Sequence, residues 1–295
     1  MTDTQPSELL LRQRLAVLTR LLPSAHSGDV SAIHQARVAT RRLREALPLV
    51  TRGSRRRKLK KIASRLTRAL GSVRELDVAV LNLDELASDV SLPTEGINHL
   101  RVIINEERQR QWADMVRQID RVDLDRFERK ALAAARRAME RAGEQSDPWR
   151  LRAVIKRASR RALTLQSAID NAGGIYLPDR LHQVRIAVKK LRYTLEIAKE
   201  LSRSRASARL RTLKNVQDLL GRMHDLDVLI MRIRALQGSD RAPTFKVSAE
   251  LDRLVRRTET ECRQLHVRYM GFKKKLLELC DYVTSADDRR SASAA

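Results

Sequence analysis

Apolar residues recur at intervals of three and four along almost the whole chain, the spacing of amphipathic helices rather than strands. Leu9, Leu10, Leu15, Leu18, Leu21 and Leu22 predict a first helix from about Ser7 to Leu22. Pro23, Ser24, Ser27 and Gly28 break the pattern, and Asp29 is placed to cap a second helix. Pro48 should end or kink that helix. A third is predicted from the basic run Arg55-Arg56-Arg57-Lys58 to Leu70-Gly71, and a fourth, capped by Asp77, from Val78 to Ala87. Helices over Ile97–Ile119 and Asp123–Ala142 complete the first half. The stretch Gly143 to Pro148 reads as a boundary. Beyond it follow a helix over Trp149–Asp170, another from Pro178-Asp179 to about Leu201, and one ending at Leu220-Gly221. A short helix is predicted after Asp227-Val228, then a long one over Thr244–Val283 with a bend at Gly271.

The order of elements repeats, and so do two motifs. His34-Gln35-Ala36-Arg37-Val38-Ala39-Thr40-Arg41-Arg42-Leu43-Arg44 is echoed by His182-Gln183-Val184-Arg185-Ile186-Ala187-Val188-Lys189-Lys190-Leu191-Arg192-Tyr193. Leu70-Gly71-Ser72-Val73-Arg74-Glu75-Leu76-Asp77-Val78 is echoed by Leu220-Gly221-Arg222-Met223-His224-Asp225-Leu226-Asp227-Val228. Both pairs are separated by about 150 residues, so the chain reads as a tandem repeat of a helical unit too long for a solenoid. The expected division is 5–143 for the first repeat, 148–283 for the second, and a small, polar, disordered tail over 284–295.

Composition sharpens the class. Gly and Pro number only 10 and 7 in 295 residues, good helix formers dominate, and the expected fold is all-α. Charge changes the picture more. Sixty Lys and Arg against 36 Asp and Glu leave a net charge of +24, with a pI near 11.1. Such a chain should be drawn to a polyanion: nucleic acid, an anionic membrane surface or a phosphate polymer. An aromatic content of 3% weighs against readers that stack single-stranded bases. Cys262 and Cys280 lack metal-ligand spacing and read as buried thiols in a reducing compartment; no metal or cofactor is expected. With no signal-like start and no apolar run near the roughly 18 residues of a membrane span, a cytoplasmic protein without membrane insertion is expected.

With successive side chains about 100° apart, Arg37, Arg41 and Arg44 fall within about 80° of His34. Ala36, Ala39, Leu43, Leu47 and Val50 lie opposite. His182, Arg185, Lys189 and Arg192 form the matching stripe, opposite Val184, Ala187, Leu191, Leu195 and Ala198, with Arg42 and Lys190 on the flanks. The next helix carries a further stripe of Lys58, Lys61, Arg65 and Arg68. Its second-half counterpart keeps Arg211 and Lys214, but has Asn215 and Asp218 at the other two positions. Like charges one turn apart cost a few tenths of a kcal/mol per pair, a cost that a bound polyanion would offset. Arginine offers a planar fork to a phosphate, and histidine a donor that charges when an anion approaches.

A lone basic stripe is ordinarily a solvated face, and His26, His99 and His266, which have no echo, read as structural. Duplication moves His34 and His182 toward a ligand role. Asp77 and Asp227 read as caps or arginine partners rather than catalytic acids.

The pattern His-x-x-Arg-x-x-x-(Arg/Lys)-(Arg/Lys)-Leu-Arg, present twice with Leu-Gly-x-x-x-(Glu/Asp)-Leu-Asp-Val behind each copy, closely resembles the CHAD domain. This is the conserved histidine α-helical domain, and the resemblance runs from about Ser7 to Val283. It implies two pseudo-symmetric antiparallel helical bundles around a basic central groove or pore that binds inorganic polyphosphate. It also implies association with polyphosphate granules. Carried over by position, it implies phosphate contacts from His34, Arg37, Arg41, Arg42, Arg44, His182, Arg185, Lys189, Lys190, Arg192 and Tyr193. Lys58, Lys61, Arg65, Arg68, Arg211 and Lys214 join them from the stripe geometry alone.

Glu45 stands where the second motif has Tyr193, and Pro48 where it has Glu196, so the halves should not grip a ligand identically. Glu196 is expected to brace an arginine. Many such domains are fused to a triphosphate tunnel enzyme with Glu-x-Glu-x-Lys on a strand. The near match Glu259-Thr260-Glu261-Cys262-Arg263 ends in Arg within an expected helix and is rejected.

The expected function is therefore non-enzymatic binding of polyphosphate. One rival is a basic helical protein that binds nucleic acid, and weak, non-specific binding at low salt is expected in any case. The other is a phosphohydrolase using His34 or His182, against which stands the absence of a Walker-type loop or metal-binding carboxylate cluster.

Overall fold

Runs of Ala, Leu, Arg and Glu with few breakers leave the backbone little alternative to helix. In the computed structural model the described residues are 6–51, 53–89, 92, 94–140, 146–202 and 207–292. They form α1 (Pro6–His26), α2 (Val30–Val50), α3 (Gly53–Ala87), α4 (Thr94–Asp120), α5 (Leu124–Glu140), α6 (Ser146–Ala172), α7 (Pro178–Ser202), α8 (Ser207–Gln237) and α9 (Phe245–Ala292). No strand occurs among these residues, and the fold is all-α. None of the helices is long and apolar enough to cross a membrane.

Several expected breaks are absent. Pro23 sits within the last turn of α1, where its missing donor removes a single bond to the Thr19 carbonyl one turn earlier, and the helix ends at His26. Gly28 then turns the chain at φ +92°, and the Trp112 indole donates to the His26 carbonyl at 3.2 Å. Asp29 caps α2 as expected, accepting from the Ala32 amide. That helix passes Pro48 and stops at Thr51, whose amide and hydroxyl both donate to the Leu47 carbonyl.

Gly71 and Asp77 do not separate two helices; α3 is continuous over 35 residues, and α8 likewise runs through Gly221 and Asp227. Asp77 is a buried partner for Arg108 of α4, at 2.6 Å, rather than a cap. The last helix extends into the stretch expected as a tail. Residues 284–292 contain no Gly or Pro, Thr284 and Ser285 bond back to carbonyls one turn earlier, and α9 runs to Ala292. The expected boundary at Gly143 falls in 141–145, outside the described residues, as do 293–295 at the end of the expected tail.

The core explains the unequal helix lengths. One cluster joins α1, α2 and α5 to the first part of α3 and the end of α4, through Leu15, Ile33, Leu43, Leu66, Met115 and Phe127. A second joins α6 and α7 to the first part of α8 and the later part of α9, through Leu165, Val188, Leu191, Leu220 and Tyr269. The third belongs to neither half. Leu76, Leu83, Ile97 and Ile104 meet Leu229, Ile233, Leu251 and Val255, so α3, α4, α8 and α9 each serve two cores.

Leu10, Ala46, Val154 and Ile197 make a small fourth contact where α1, α2, α6 and α7 meet. Burying a side chain of this size contributes on the order of 1.5–3 kcal/mol, so the third core firmly ties the halves together. The motif cations lie along α2 and α7 between these two junctions.

Candidate functional site

Packing fixes where the cations point. Ala36, Ala39, Leu43 and Leu47 bury one side of α2, and Val184, Val188 and Leu191 bury one side of α7. The opposite faces turn Arg37 and Arg41 toward Arg185 and Lys189, close enough for each set to feel the other's charge. Among the described residues none of these four, nor Arg44, has a carboxylate in ion-pair range. The Nε atoms of Arg37, Arg44 and Arg185 are buried without a hydrogen-bond partner. Such groups are nearly always satisfied in folded proteins, and each one left open costs about 1–3 kcal/mol.

The electrostatics follow from this crowding. Burial, then Arg41 and Arg185, pushes the Arg37 guanidinium down to about 10. Burial, then Arg41, Arg185 and Arg37, pushes the Lys189 ammonium down to about 7. Among the described residues Glu75 acts on Arg37, Asp225 on Arg185 and Asp179 on His182 through their charges, none of them as an ion pair. Burial lifts the Asp225 carboxyl despite the opposing pull of Arg185, Arg74 and Arg37. Tyr193 is buried, lies 4.8 Å under the Arg192 guanidinium and supports the charge on Arg41.

The two Leu-Gly blocks acquire a reason here. A Cβ on Gly71 would lie 3.1 Å from Arg37 Nε, so that glycine is the floor on which the guanidinium rests. Gly221 faces Arg185 in the same way, more loosely, at 3.9 Å. One turn beyond each glycine stand Arg74, whose charge acts on His34, and His224, which feels Arg185 and Lys189. Both were missed in the sequence reading. Their common position behind Gly71 and Gly221 was the available signal, obscured because the residue types differ.

His224 Nδ1 lies 3.1 Å from His182 Nδ1, a distance at which the N–H of one ring donates to the other, with the ring centroids 4.3 Å apart. Burial first, then Arg185 and Lys189, pulls His182 down. Burial, Arg185, His182 and Lys189 push His224 down to about 4. His34 is pulled down by burial, then by Arg74, Arg37 and Arg41. It lines the rim of an 860 Å³ cavity between α1, α2 and α7 that also contains Arg42 and Glu196. All three imidazoles are neutral near pH 7 and ready to charge beside an anion.

The other expected contacts divide. Arg192 is held by Gln217 at 2.9 Å and Glu196 at 2.5 Å, and exposed Arg42 approaches Glu196 at 3.4 Å, so Glu196 braces both. Lys190 is exposed. Lys58 lines a separate groove against α5, and Arg211 one against α9. Lys61, Arg65 and Arg68 are exposed on α3, and Lys214 approaches Asp218 at 3.8 Å.

Glu45 reaches away from the cluster to Arg157 and Arg161 of α6. Glu259 to Arg263 is helical, with Glu261 bonded to Arg222 and Cys262 buried. Among the described residues no three His, Cys, Asp or Glu side chains gather as metal ligands would.

Solved structures share this arrangement of helices. The crystal structure of the CHAD domain from the plant Ricinus communis matches with a TM-score of 0.62 at 21% identity, covering 97% of this chain and 92% of that one. PptA from Streptomyces chartreusis matches with a TM-score of 0.60 at 16% identity, covering 96% of this chain and 98% of that one. No curated protein matches in sequence. The family model for the CHAD domain matches residues 9–234, and the chain belongs to the CHAD domain family.

Proposed function

We propose that this chain binds inorganic polyphosphate without turning it over, holding successive phosphates between α2 and α7. The observation that carries the reading is the convergence of Arg37, Arg41, Arg185 and Lys189, crowded, largely buried and without carboxylate partners. A polyanion would satisfy the open guanidinium donors and relieve the mutual repulsion that the fold otherwise bears. His34, His182 and His224 would charge and donate as phosphates arrive. Arg44 and Arg74 would extend the grip. On this reading 5–143 and 148–283 act as two repeats facing one cleft, and Lys61, Arg65 and Arg68 offer outer contacts along α3. A cytoplasmic location with association to polyphosphate granules follows from the same reading.

Replacing Arg37, Arg41, Arg185 and Lys189 together by Ala should abolish binding of long-chain polyphosphate in a filter or calorimetric assay, with helicity unchanged by circular dichroism. A folded variant that keeps its affinity would sink the proposal. Nucleic acid is the competitor to exclude, since a charge of +24 attracts any polyanion. At near-physiological salt and equal phosphate concentration, tRNA or duplex DNA should fail to displace polyphosphate, because a narrow cleft admits a thin chain and not a duplex.

A further inference from the structure

A second cationic groove lies apart from the Arg37–Arg185 cluster, between α3 and α5. It encloses about 580 Å³ and is walled by Arg55 and Lys58 from α3 and by Arg129, Lys130 and Arg137 from α5. All five are exposed, no carboxylate lines the groove, and none of the five has an ion-pair partner among the described residues. Between the cations the floor is apolar: Ile62, in part, and Ala133 are open to solvent, over Leu59 and Ala134, which are nearly buried.

The groove between α8 and α9 in the second half is different. Glu278 lines it, and the Arg209 guanidinium lies 3.4 Å over the Tyr282 ring. There the chain supplies its own carboxylate and its own ring. The α3–α5 groove has neither.

The chemistry selects among anionic occupants. A phosphate polymer has no use for an apolar floor. Nucleic acid would look for rings on which to stack its bases, and none lines the groove. A helix with one apolar and one acidic face uses both features, setting its apolar residues on Ile62 and Ala133 while its carboxylates meet the rim. Arg129 and Arg137 stand about 12 Å apart along α5, a little over two turns, which suits repeating carboxylates on a helix laid alongside. Small residues at 133 and 134 let its backbone come close. We infer that the α3–α5 groove is a docking surface for an acidic amphipathic helix of a partner protein.

The test is fluorescence anisotropy with the full chain and a labelled synthetic helix of about 18 residues, Leu on one face and Glu on the other. A scrambled peptide of equal composition should bind at least about tenfold more weakly. The triple variant Lys58→Glu, Arg129→Glu, Lys130→Glu should weaken the helix by about 30-fold or more. Ala133→Trp, a neutral change at an exposed position that fills the floor, should weaken it by about tenfold. Both variants should keep wild-type circular dichroism, and the neutral Ala133→Trp should also keep wild-type polyphosphate affinity. The inference is overturned if the scrambled peptide binds equally well, or if either variant binds the helix as wild type does. It is also overturned if polyphosphate or duplex DNA displaces the helix at equal charge concentration, which would make the groove a general polyanion surface.

Discussion

The α2–α3 side and the α7–α8 side of the cationic cluster are built on matching motifs and have different chemistry. On the first side Arg37, Arg41, Arg44 and Arg74 carry the charge, and Gly71 holds Arg37 at close quarters. Guanidinium stays charged through any physiological pH, even with Arg37 pushed down to about 10. The second side has Arg185, but Lys189 is pushed down to about 7, His182 is hydrogen-bonded to His224, and Arg192 is tied to Glu196 and Gln217. One wall is a fixed charge and the other an adjustable one. A duplicated scaffold does not oblige its copies to keep the same electrostatics; the shared requirement is a cation laid over a glycine.

The largest test removes one arginine from each wall. Arg37→Ala and Arg185→Ala should each cost about 1.5–3 kcal/mol of polyphosphate affinity, roughly 10- to 150-fold, since each removes charge-assisted hydrogen bonds. Calorimetry would break the comparison if one of the two were silent.

The second test is pH. Lys189 is charged below its value of about 7 and loses that charge above it, so polyanion affinity should fall as pH rises from 6 to 8. One proton linked over that window corresponds to roughly a tenfold change. Lys189→Arg should keep the affinity at pH 8 and flatten the profile, whereas Arg41→Lys on the other wall should steepen it. A profile unchanged by Lys189→Arg would dissolve the distinction between the walls.

Glycine gives a smaller contrast. Gly71→Ala places a methyl within 3.1 Å of Arg37 Nε and should weaken binding by about fivefold, because a packed guanidinium must move. Gly221→Ala meets its arginine only at 3.9 Å and should change affinity by less than about twofold. The smallest effect should come from Glu196→Gln. It releases Arg192 and Arg42 from their carboxylate and should raise affinity by about two- to threefold at low salt, with less gain at high salt.

Much of this was legible before any coordinates. The 3.6-residue periodicity gave the helices, and the repeated His34 and His182 motifs gave a cationic face on each half, but not that the two faces meet. What failed were local rules overruled by tertiary contacts. Gly71 reads as a stop, yet it is a seat for Arg37, which no local propensity encodes. Asp77 reads equally as a cap or as an arginine partner, and burial against Arg108 selects the second. Lys58 and Arg211 share the periodicity of their stripes, but periodicity names a helix face and not the neighbour it meets. Lys58 meets α5 and Arg211 meets α9. The third core could not be read either, because residues from Leu76 to Ile104 and from Leu229 to Val255 join only once the halves are docked.

That third core has a consequence for how the two walls evolve. Together with the small contact of Ala46 and Ile197, it fixes the separation of α2 and α7 with aliphatic side chains that take no part in the charge between them. The walls are therefore mounted on a frame indifferent to what they carry, much as jaws are bolted to a vice. Residues on the facing surfaces can be exchanged, arginine for histidine or lysine for a neutral group, without the jaws drifting apart. The same frame should tolerate a reversal of sign. Lined with carboxylates at 37, 41, 185 and 189, it would hold its shape and offer the same slot to a polycation.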